Sequence, residues 1–305
     1  MPVNLTIPIP MTKINMKIAI IDIGSNSVRK QVFSGGKILL SEVITCQLSL
    51  GIKNKKLAYE SINRTFEALD KLILCEKQNP ETQILAFATA CVRNSVNGGD
   101  FVSQFFNRYG VELDVLSGEC EAETGMLGAL AGVDGSVIDV GGASSEIATA
   151  TNGKIVYAHS MQDGAVTLTD LFKKDRKSAE NYLTKVNAEF EGLKIENNVY
   201  AIGGTANTLA FIGAGLEVYD PEKTEGYVLT VEELEKCVNQ FYELSPSEIV
   251  KRFRIDEKRA NVIHSGALIL LTLLRRANVK KVILTERDNI YGYYLKKTKG
   301  LFYEK

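Results

Sequence analysis

Ile20-Ile21-Asp22-Ile23-Gly24-Ser25-Asn26-Ser27 and Val137-Ile138-Asp139-Val140-Gly141-Gly142-Ala143-Ser144-Ser145-Glu146 are two versions of one pattern. Each runs from a short apolar strand into an Asp, through a turn of small residues, and straight into another strand-like run. A second turn follows at the same offset from each Asp, Gly35-Gly36-Lys37 in the first copy and Asn152-Gly153-Lys154 in the second. Such a tip offers free backbone N–H groups and hydroxyls, a concavity that binds phosphate without net positive charge. An Asp at the strand end can hold a cation or a water. Taken singly, the turn at Asp22 also reads as an ordinary hairpin, because Gly, Ser, Asn and Asp dominate turns for local backbone reasons. Its recurrence at a matching strand end argues for a duplicated unit whose two tips face each other across a cleft and grip a chain of phosphates from both sides.

The rest of the chain repeats one order of elements. Residues 17–33 read as strand, tight turn and strand, and 38–50 as a third strand. Residues 57–76 carry Ile62, Phe66, Leu69, Leu72 and Ile73 at helical spacing. A buried strand at 82–88, a helix at 101–109, a strand at 111–116 and a helix at 119–130 follow. Strands at 136–140, 145–150 and 154–160 restart the order, with helices at 165–172 and 179–191 and a strand at 199–202. Helices at 231–244 and 259–275, a strand at 281–285 and a helix at 288–297 close it. Gly132-Val133-Asp134-Gly135 is the natural junction. The expected organisation is an extension or start-codon artefact over 1–16, one α/β domain over 17–131 and a second over 132–305, with the last helix packing back on the first domain.

Composition narrows the function classes. The 305 residues carry a formal net charge of −1, so no global basic field for nucleic acid exists. Cys46, Cys75, Cys91, Cys120 and Cys237 are scattered with no CxxC pair, which argues against a zinc site or disulfide framework and for reduced thiols in a cytoplasm. The two histidines, His159 and His264, sit in unrelated contexts and make no metal centre. No apolar run approaches the roughly 20 residues of a membrane span.

Three further constellations bear on chemistry. Gly203-Gly204-Thr205 follows the strand at 199–202 and opens a helix, where orphan N–H groups and the positive dipole end attract anions; a small-residue crossing is the plainer alternative. Arg93 lies just past a buried strand, suited either to a surface salt bridge or to forking phosphate oxygens. Glu119, Glu121 and Glu123 open a helix, where acids favour the dipole, yet a glutamate aimed into a phosphate cleft can position and deprotonate a water. Asp139 and Glu146, a carboxylate pair beside the second turn, suit Mg²⁺, which prefers oxygen ligands and keeps several waters.

The runs IDIGSNSVR, ATACVRNSVN, LSGECEAE, IDVGGASSE, MQDGAVTLTDLF and AIGGTANTLA, in this order over roughly residues 17 to 295, resemble the exopolyphosphatase / guanosine pentaphosphate phosphohydrolase family in its short two-domain form. The resemblance implies two related actin/Hsp70/sugar-kinase-like (ribonuclease H-like) α/β domains flanking a central cleft. It implies release of terminal phosphate from inorganic polyphosphate or guanosine pentaphosphate, with Glu121 as the base. By the same resemblance Asp139, Glu146 and Asp22 serve Mg²⁺ or Mn²⁺. Gly24, Ser25, Asn26, Ser27, Arg93, Gly141, Gly142, Ala143, Ser144, Ser145, Gly203, Gly204 and Thr205 hold phosphates. The expected partner is the polyanionic substrate, with no nucleic acid and no membrane, and a homodimer is kept open. Ala143 stands where the family has a third Gly, and Thr167 where it has an Arg. These departures leave open a non-hydrolytic polyphosphate or alarmone sensor, and behind it a kinase of the same superfold.

Overall fold

The computed structural model describes residues 17–186, 195 and 198–301. The expected extension over 1–16 and the far end of the helix expected at 179–191 lie outside them. The first half is an antiparallel meander, β1 (Lys17–Ile23), β2 (Ser27–Ser34) and β3 (Lys37–Thr45). It continues through α1 (Tyr59–Lys77), β4 (Thr82–Ala88), α2 (Ala90–Arg93), α3 (Gly98–Tyr109), β5 (Leu113–Val115) and α4 (Gly118–Leu130). The sheet order is β3-β2-β1-β4-β5, with β4 parallel to β1 and β5 parallel to β4.

The second half opens with the meander β6 (Gly135–Val140), β7 (Ser145–Thr151) and β8 (Lys154–Met161), then α5 (Ala165–Phe172), α6 (Arg176–Val186), β9 (Val199–Ile202) and α7 (Gly203–Gly213). It ends with α8 (Pro221–Thr224), β10 (Tyr227–Thr230), α9 (Val231–Glu243), α10 (Pro246–Phe253), α11 (Glu257–Ala260), α12 (Ile263–Arg276), β11 (Lys281–Leu284) and α13 (Asn289–Lys299). Its sheet reads β10-β11-β9-β6-β7-β8, so five strands repeat the first sheet's order and β10 is added beyond them. The second sheet thus repeats the first, the duplication that the two Asp turns imply.

Local sequence explains the elements that carry the site. β1 is covered on both faces, and its Ala19–Ile23 stretch is buried throughout, as a central strand of branched residues should be. α1 buries Ile62, Phe66, Leu69, Leu72 and Ile73 on one face. α4 has no polar face to speak of: Glu121 through Gly128 are all buried. Its start is capped by Ser117, whose Oγ accepts from the Cys120 N–H at 3.1 Å. α4 crosses α13 at backbone contact, since a Cβ on Gly128 would fall 2.1 Å from the Asp288 carbonyl oxygen and one on Gly292 1.8 Å from that of Thr124. Around this crossing, Ile20, Phe33 and Phe87 of the first sheet share a core with Val137 and Ala148 of the second and Tyr293 and Tyr294 of α13. Tyr293 donates to Asp114 at 2.6 Å, and the Phe33 and Tyr294 rings stack at 4.3 Å. Tight helix crossing and shared core fix the two sheets relative to each other.

Three expectations change. The third strand ends at Thr45, and residues 46–57 fold back as a loop onto Ser25 and Asn26. The helix expected at 259–275 is two, because Asp256 caps a separate short turn by accepting from the Arg259 N–H at 2.9 Å. α10 was overlooked although Ser245-Pro246-Ser247-Glu248 forms a complete capping box. Among the described residues no helix is long and apolar enough to cross a membrane, and all five cysteines are free.

Candidate functional site

The two turns are alike in detail. The Gly24 N–H donates to the Ser27 carbonyl at 3.0 Å, and the Gly141 N–H donates to that of Ser144 at 3.0 Å. They also meet: a Cβ on Gly142 would fall 2.8 Å from the Ser25 Cβ and 3.4 Å from the Asn26 nitrogen. Behind the second turn, α5 begins with the Ala165 and Val166 N–H groups on the Gly141 and Gly142 carbonyls, both at 2.8 Å. Between them lies a cavity of about 100 Å³, lined by Gly24–Ser27, Gly141–Ser144, Gly203–Thr205, Asp22, Glu121 and Asp139. In its first-turn wall, the Asn26 side-chain amide and Ser27 Oγ are buried without protein partners, as groups reserved for a ligand would be.

Strand register explains how the halves differ. Residues directly opposite in an antiparallel ladder share a face, and Asp22 faces Arg29 as Asp139 faces Glu146. In the first half the Arg29 Nε and Nη2 sit 2.9 and 2.5 Å from Asp22 Oδ2, and Nη1 bonds Asp288. Burial works against the Arg29 charge, but Asp288 and Asp22 overcome it and hold the guanidinium firmly protonated. In the second half no Lys or Arg among the described residues pairs with Asp139 or Glu146. Burial first, then Glu121 and Asp288, push Asp139 up to about 8. Burial with Glu121 and Asp139 raises Glu146 as well. Ser160 Oγ donates to Glu146 Oε1 at 2.8 Å, leaving Oε2 buried and unpartnered.

Of the three acidic residues opening α4, only Glu121 reaches the cavity; Glu119 is exposed and Glu123 pairs with Lys296 at 3.3 Å. Burial pushes Glu121 up to about 7 against the pull of Arg93, whose Nη1 lies 2.8 Å from Oε2. The same nitrogen donates to the Leu116 carbonyl at 2.6 Å, so Arg93 is anchored at the strand end. α4's first residue packs on β8, because a Cβ on Gly118 would fall 2.9 Å from Ser160 Oγ.

At the third turn Gly203 has φ +84°, and a Cβ there would fall 2.4 Å from Asp139 Oδ1. Only glycine permits both. Thr205 Oγ1 donates to the Val140 carbonyl at 3.3 Å. The Arg259 guanidinium lies over Gly204, with Nη1 2.2 Å from where a Cβ would stand, and makes no ion pair among the described residues. Burial lowers its pKa, an unneutralised cation facing the cavity.

Most of the anticipated residues converge, and three stand apart. Arg93 sits on Glu121 rather than on the cavity wall. Ser145 Oγ is spent on the Asp163 carbonyl at 2.8 Å, because strand alternation turns it away from Asp139 and Glu146. Glu146 lies across the ladder behind Asp139. Sequence reasoning missed Arg29, Asn289, Arg259 and Thr89, all lining the cavity. Arg29 was findable, since it follows Asp22 at the offset by which Glu146 follows Asp139. Asn289, whose Nδ2 donates to Asp139 Oδ2 at 2.6 Å, comes from the far end of the chain and leaves no local signal.

A hard divalent cation fits this donor set. Asp22 Oδ1, Glu146 Oε2 and Asn289 Oδ1 are buried oxygens without protein partners, and a cation would relieve the carboxylate repulsion. Among the described residues no group of three or more His, Cys, Asp or Glu is placed to hold a metal ion; Mg²⁺ is usually bound by one or two carboxylates plus waters and phosphate.

The sequence model of the Ppx/GppA phosphatase family matches residues 31–288. A bifunctional 3-dehydroquinate synthase/phosphatase of Fusobacterium nucleatum is 28% identical over 93% of the chain and 47% of its own length, so the chain spans about half of that relative. The crystal structure of the Aquifex aeolicus Ppx/GppA family member is 27% identical, with TM-score 0.77 over 93% of this chain and 98% of that one. An exopolyphosphatase structure from Cytophaga hutchinsonii, 20% identical, shares the fold with TM-score 0.84 over 95% and 100% of the two chains.

Proposed function

The chain belongs to the Ppx/GppA phosphatase family, and we propose that it is a phosphoanhydride hydrolase releasing the terminal phosphate of inorganic polyphosphate or guanosine pentaphosphate. One observation carries the reading: two matching phosphate-type turns abut, and a buried carboxylate poised near neutrality opens onto the space between them.

Phosphoryl transfer asks a protein chiefly for positioning and charge stabilisation. The Gly24–Ser27 and Gly141–Ser144 turns grip the terminal phosphate through their backbone, with Asn26 and Ser27 supplying the free side-chain groups. The α7 N-terminus and Arg259 face the same oxygens. Glu121 orients a water in line with the scissile bond and takes its proton, and a base with pKa near 7 is well matched to that task at neutral pH. Arg93 fixes the Glu121 carboxylate, and Thr89 hydrogen-bonds it. Asp139, Glu146 and Asp22 are the carboxylates that would hold Mg²⁺ or Mn²⁺, which supplies neutralisation of the phosphate oxygens.

The sensor alternative rested on Ala143 and Thr167. Ala143 is outside the left-handed region, so its methyl meets no backbone requirement for glycine. Thr167 Oγ1 exchanges hydrogen bonds with the Gly164 backbone at 2.7 and 3.0 Å and caps α5 rather than lining the cavity. Both features agree with an active enzyme. Free thiols and the absence of a spanning helix among the described residues are compatible with a cytoplasmic setting. Phosphate release from polyphosphate and from guanosine pentaphosphate, measured with Mg²⁺ and with chelator, tests the proposal; tight binding of both without release under either metal would overturn it.

A further inference from the structure

The geometry points to a second anion site outside the cleft: the turn Lys53-Asn54-Lys55-Lys56 docks the distal phosphates of a linear polyphosphate whose end occupies the cavity. The inference rests on the hydrolase reading for the placement of that end.

The loop bearing this turn is tied to the first phosphate turn on one side and to the segment after α2 on the other. The Cys46 and Gln47 N–H groups donate to the Asn26 carbonyl at 3.0 and 2.8 Å, and that of Ser49 donates to the Ser25 carbonyl at 3.0 Å. On the other side, the Val96 N–H donates to the Lys55 carbonyl at 2.7 Å. The Leu57 N–H donates to Asn97 Oδ1 at 2.9 Å, while Asn97 Nδ2 donates to the Leu57 carbonyl at 3.2 Å. Ser25 and Asn26 belong to the first phosphate turn, and Arg93 stands three residues before Val96. At about 3.6 Å per residue, Lys53 lies within roughly 14 Å of Ser49 and Val96 within roughly 11 Å of Arg93. The lysine side chains extend from there into solvent.

The turn is rigid and built at a cost. Lys53 and Lys56 bridge in antiparallel fashion, bonding through N–H and carbonyl at 3.3 and 2.9 Å. Asn54 and Lys55 both take positive φ, 51° and 56°. Asn tolerates that conformation and Gly prefers it, but Lys gains nothing from it locally. Backbone strain at an exposed lysine is the kind of outlier that function accounts for. Lys53, Lys55 and Lys56 are all exposed, and none makes an ion pair among the described residues, unlike Lys30, Lys223, Lys296 and Lys297. Three unpaired ammonium groups on a fixed hairpin make a compact positive tip.

The cavity, about 100 Å³, takes only the end of a long phosphate chain. Every further phosphate of a long chain must pass the mouth. The turn offers point charges and no aromatic ring on which to stack a base, which fits a repetitive polyanion rather than a nucleoside.

The test is equilibrium binding of long-chain polyphosphate and of tripolyphosphate to the full chain and to the triple variant Lys53→Gln, Lys55→Gln, Lys56→Gln. Long-chain affinity is expected to fall about tenfold at low salt, with the slope of log affinity against log salt reduced by roughly 2. Tripolyphosphate, too short to reach the turn, is expected to lose no more than about twofold, and the triple Lys→Arg variant to keep long-chain affinity. Long-chain affinity within about twofold of the parent, or an equal loss on both ligands, overturns the inference. Phosphate release measured alongside separates the two claims: a parent that binds long chains through the turn but releases no phosphate sinks the hydrolase reading and leaves the docking site standing.

Discussion

Replacing Glu121 by Gln is expected to abolish turnover and, at neutral pH without metal, to make the protein more stable. Burial holds the carboxyl protonated up to about 7 against an ordinary 4.5. Between those values the folded state keeps a proton that the unfolded chain has released. The folded state therefore bears no penalty below pH 4.5, a growing one as pH rises through the window, and a constant one above 7. At about 1.4 kcal/mol per tenfold change in proton affinity, the full penalty is roughly 3 kcal/mol. A Gln side chain has no charge to desolvate. It does weaken the contact with Arg93, but that guanidinium keeps the Leu116 carbonyl and the amide oxygen can still accept. The net gain is about 1–3 kcal/mol, a few degrees in Tm for a chain of this size.

Thermal denaturation in chelator at pH 5 and pH 7.5, beside a phosphate-release assay, reads both effects. At pH 5 most of the penalty is absent, so the gain should shrink to below about 1 kcal/mol. A variant no more stable than the parent at pH 7.5, or equally stabilised at both values, refutes the assignment of the raised pKa to burial. Retained turnover refutes the role of Glu121. Opposite signs for stability and activity are what a group buried for function, not for packing, should give.

Other outcomes follow from the same site. Millimolar Mg²⁺ is expected to raise the Tm of the parent at pH 8 by several degrees, as any ligand of the folded state does, and to leave Asp139→Asn unmoved; equal shifts in both remove Asp139 from the cation site. Arg29→Ala should cost about 3–5 kcal/mol, because it leaves Asp22 and Asp288 buried without their shared cation; a loss below about 1 kcal/mol by denaturant unfolding denies that pairing. His264 is buried, and burial with Lys174 pushes it down to about 4 while its Nε2 meets the Lys173 carbonyl at 2.8 Å. Its contribution is complete above pH 6.5 and is lost as pH falls toward 4, about 3 kcal/mol in all, so His264→Gln should flatten that limb of the stability profile.

Periodicity and turn chemistry made the duplicated half-sheets legible, because the meander, the Asp turn and the following glycine turn are all local signals. The cavity's nearest contacts were less so. Asn289 meets Asp139 across most of the chain's length, and its position is set by the Gly128–Gly292 crossing, which helical spacing alone does not announce. Arg259 was read as part of a long helix, and the cap at Asp256 that turns it over Gly204 was not weighed. The family resemblance assigns Ser145 to the phosphates, whereas strand alternation turns its hydroxyl to the Asp163 carbonyl. Residues 46–50 read as the end of the third strand, yet the Cys46, Gln47 and Ser49 amides are drawn to the Ser25 and Asn26 carbonyls instead of to a sheet edge.

The duplication places one position in charge of how the two halves diverge. Both Asp residues sit at the end of a first strand, and both face the residue at the same ladder position on the second. Where that residue is Arg29, the Asp is neutralised within the protein and the turn beside it is left to the ligand. Where it is Glu146, negative charge accumulates instead: Glu121 raises the proton affinity of both Asp139 and Glu146, and Asp139 raises that of Glu146. Such a cluster is costly to bury unless something positive completes it. Glu121 itself is held near neutrality by burial, with Asp22 of the first turn adding to it, in the range suited to a base that accepts a water's proton. A symmetric frame with one asymmetric ladder pair thus accounts for a neutral phosphate grip on one side and a cation-demanding side opposite.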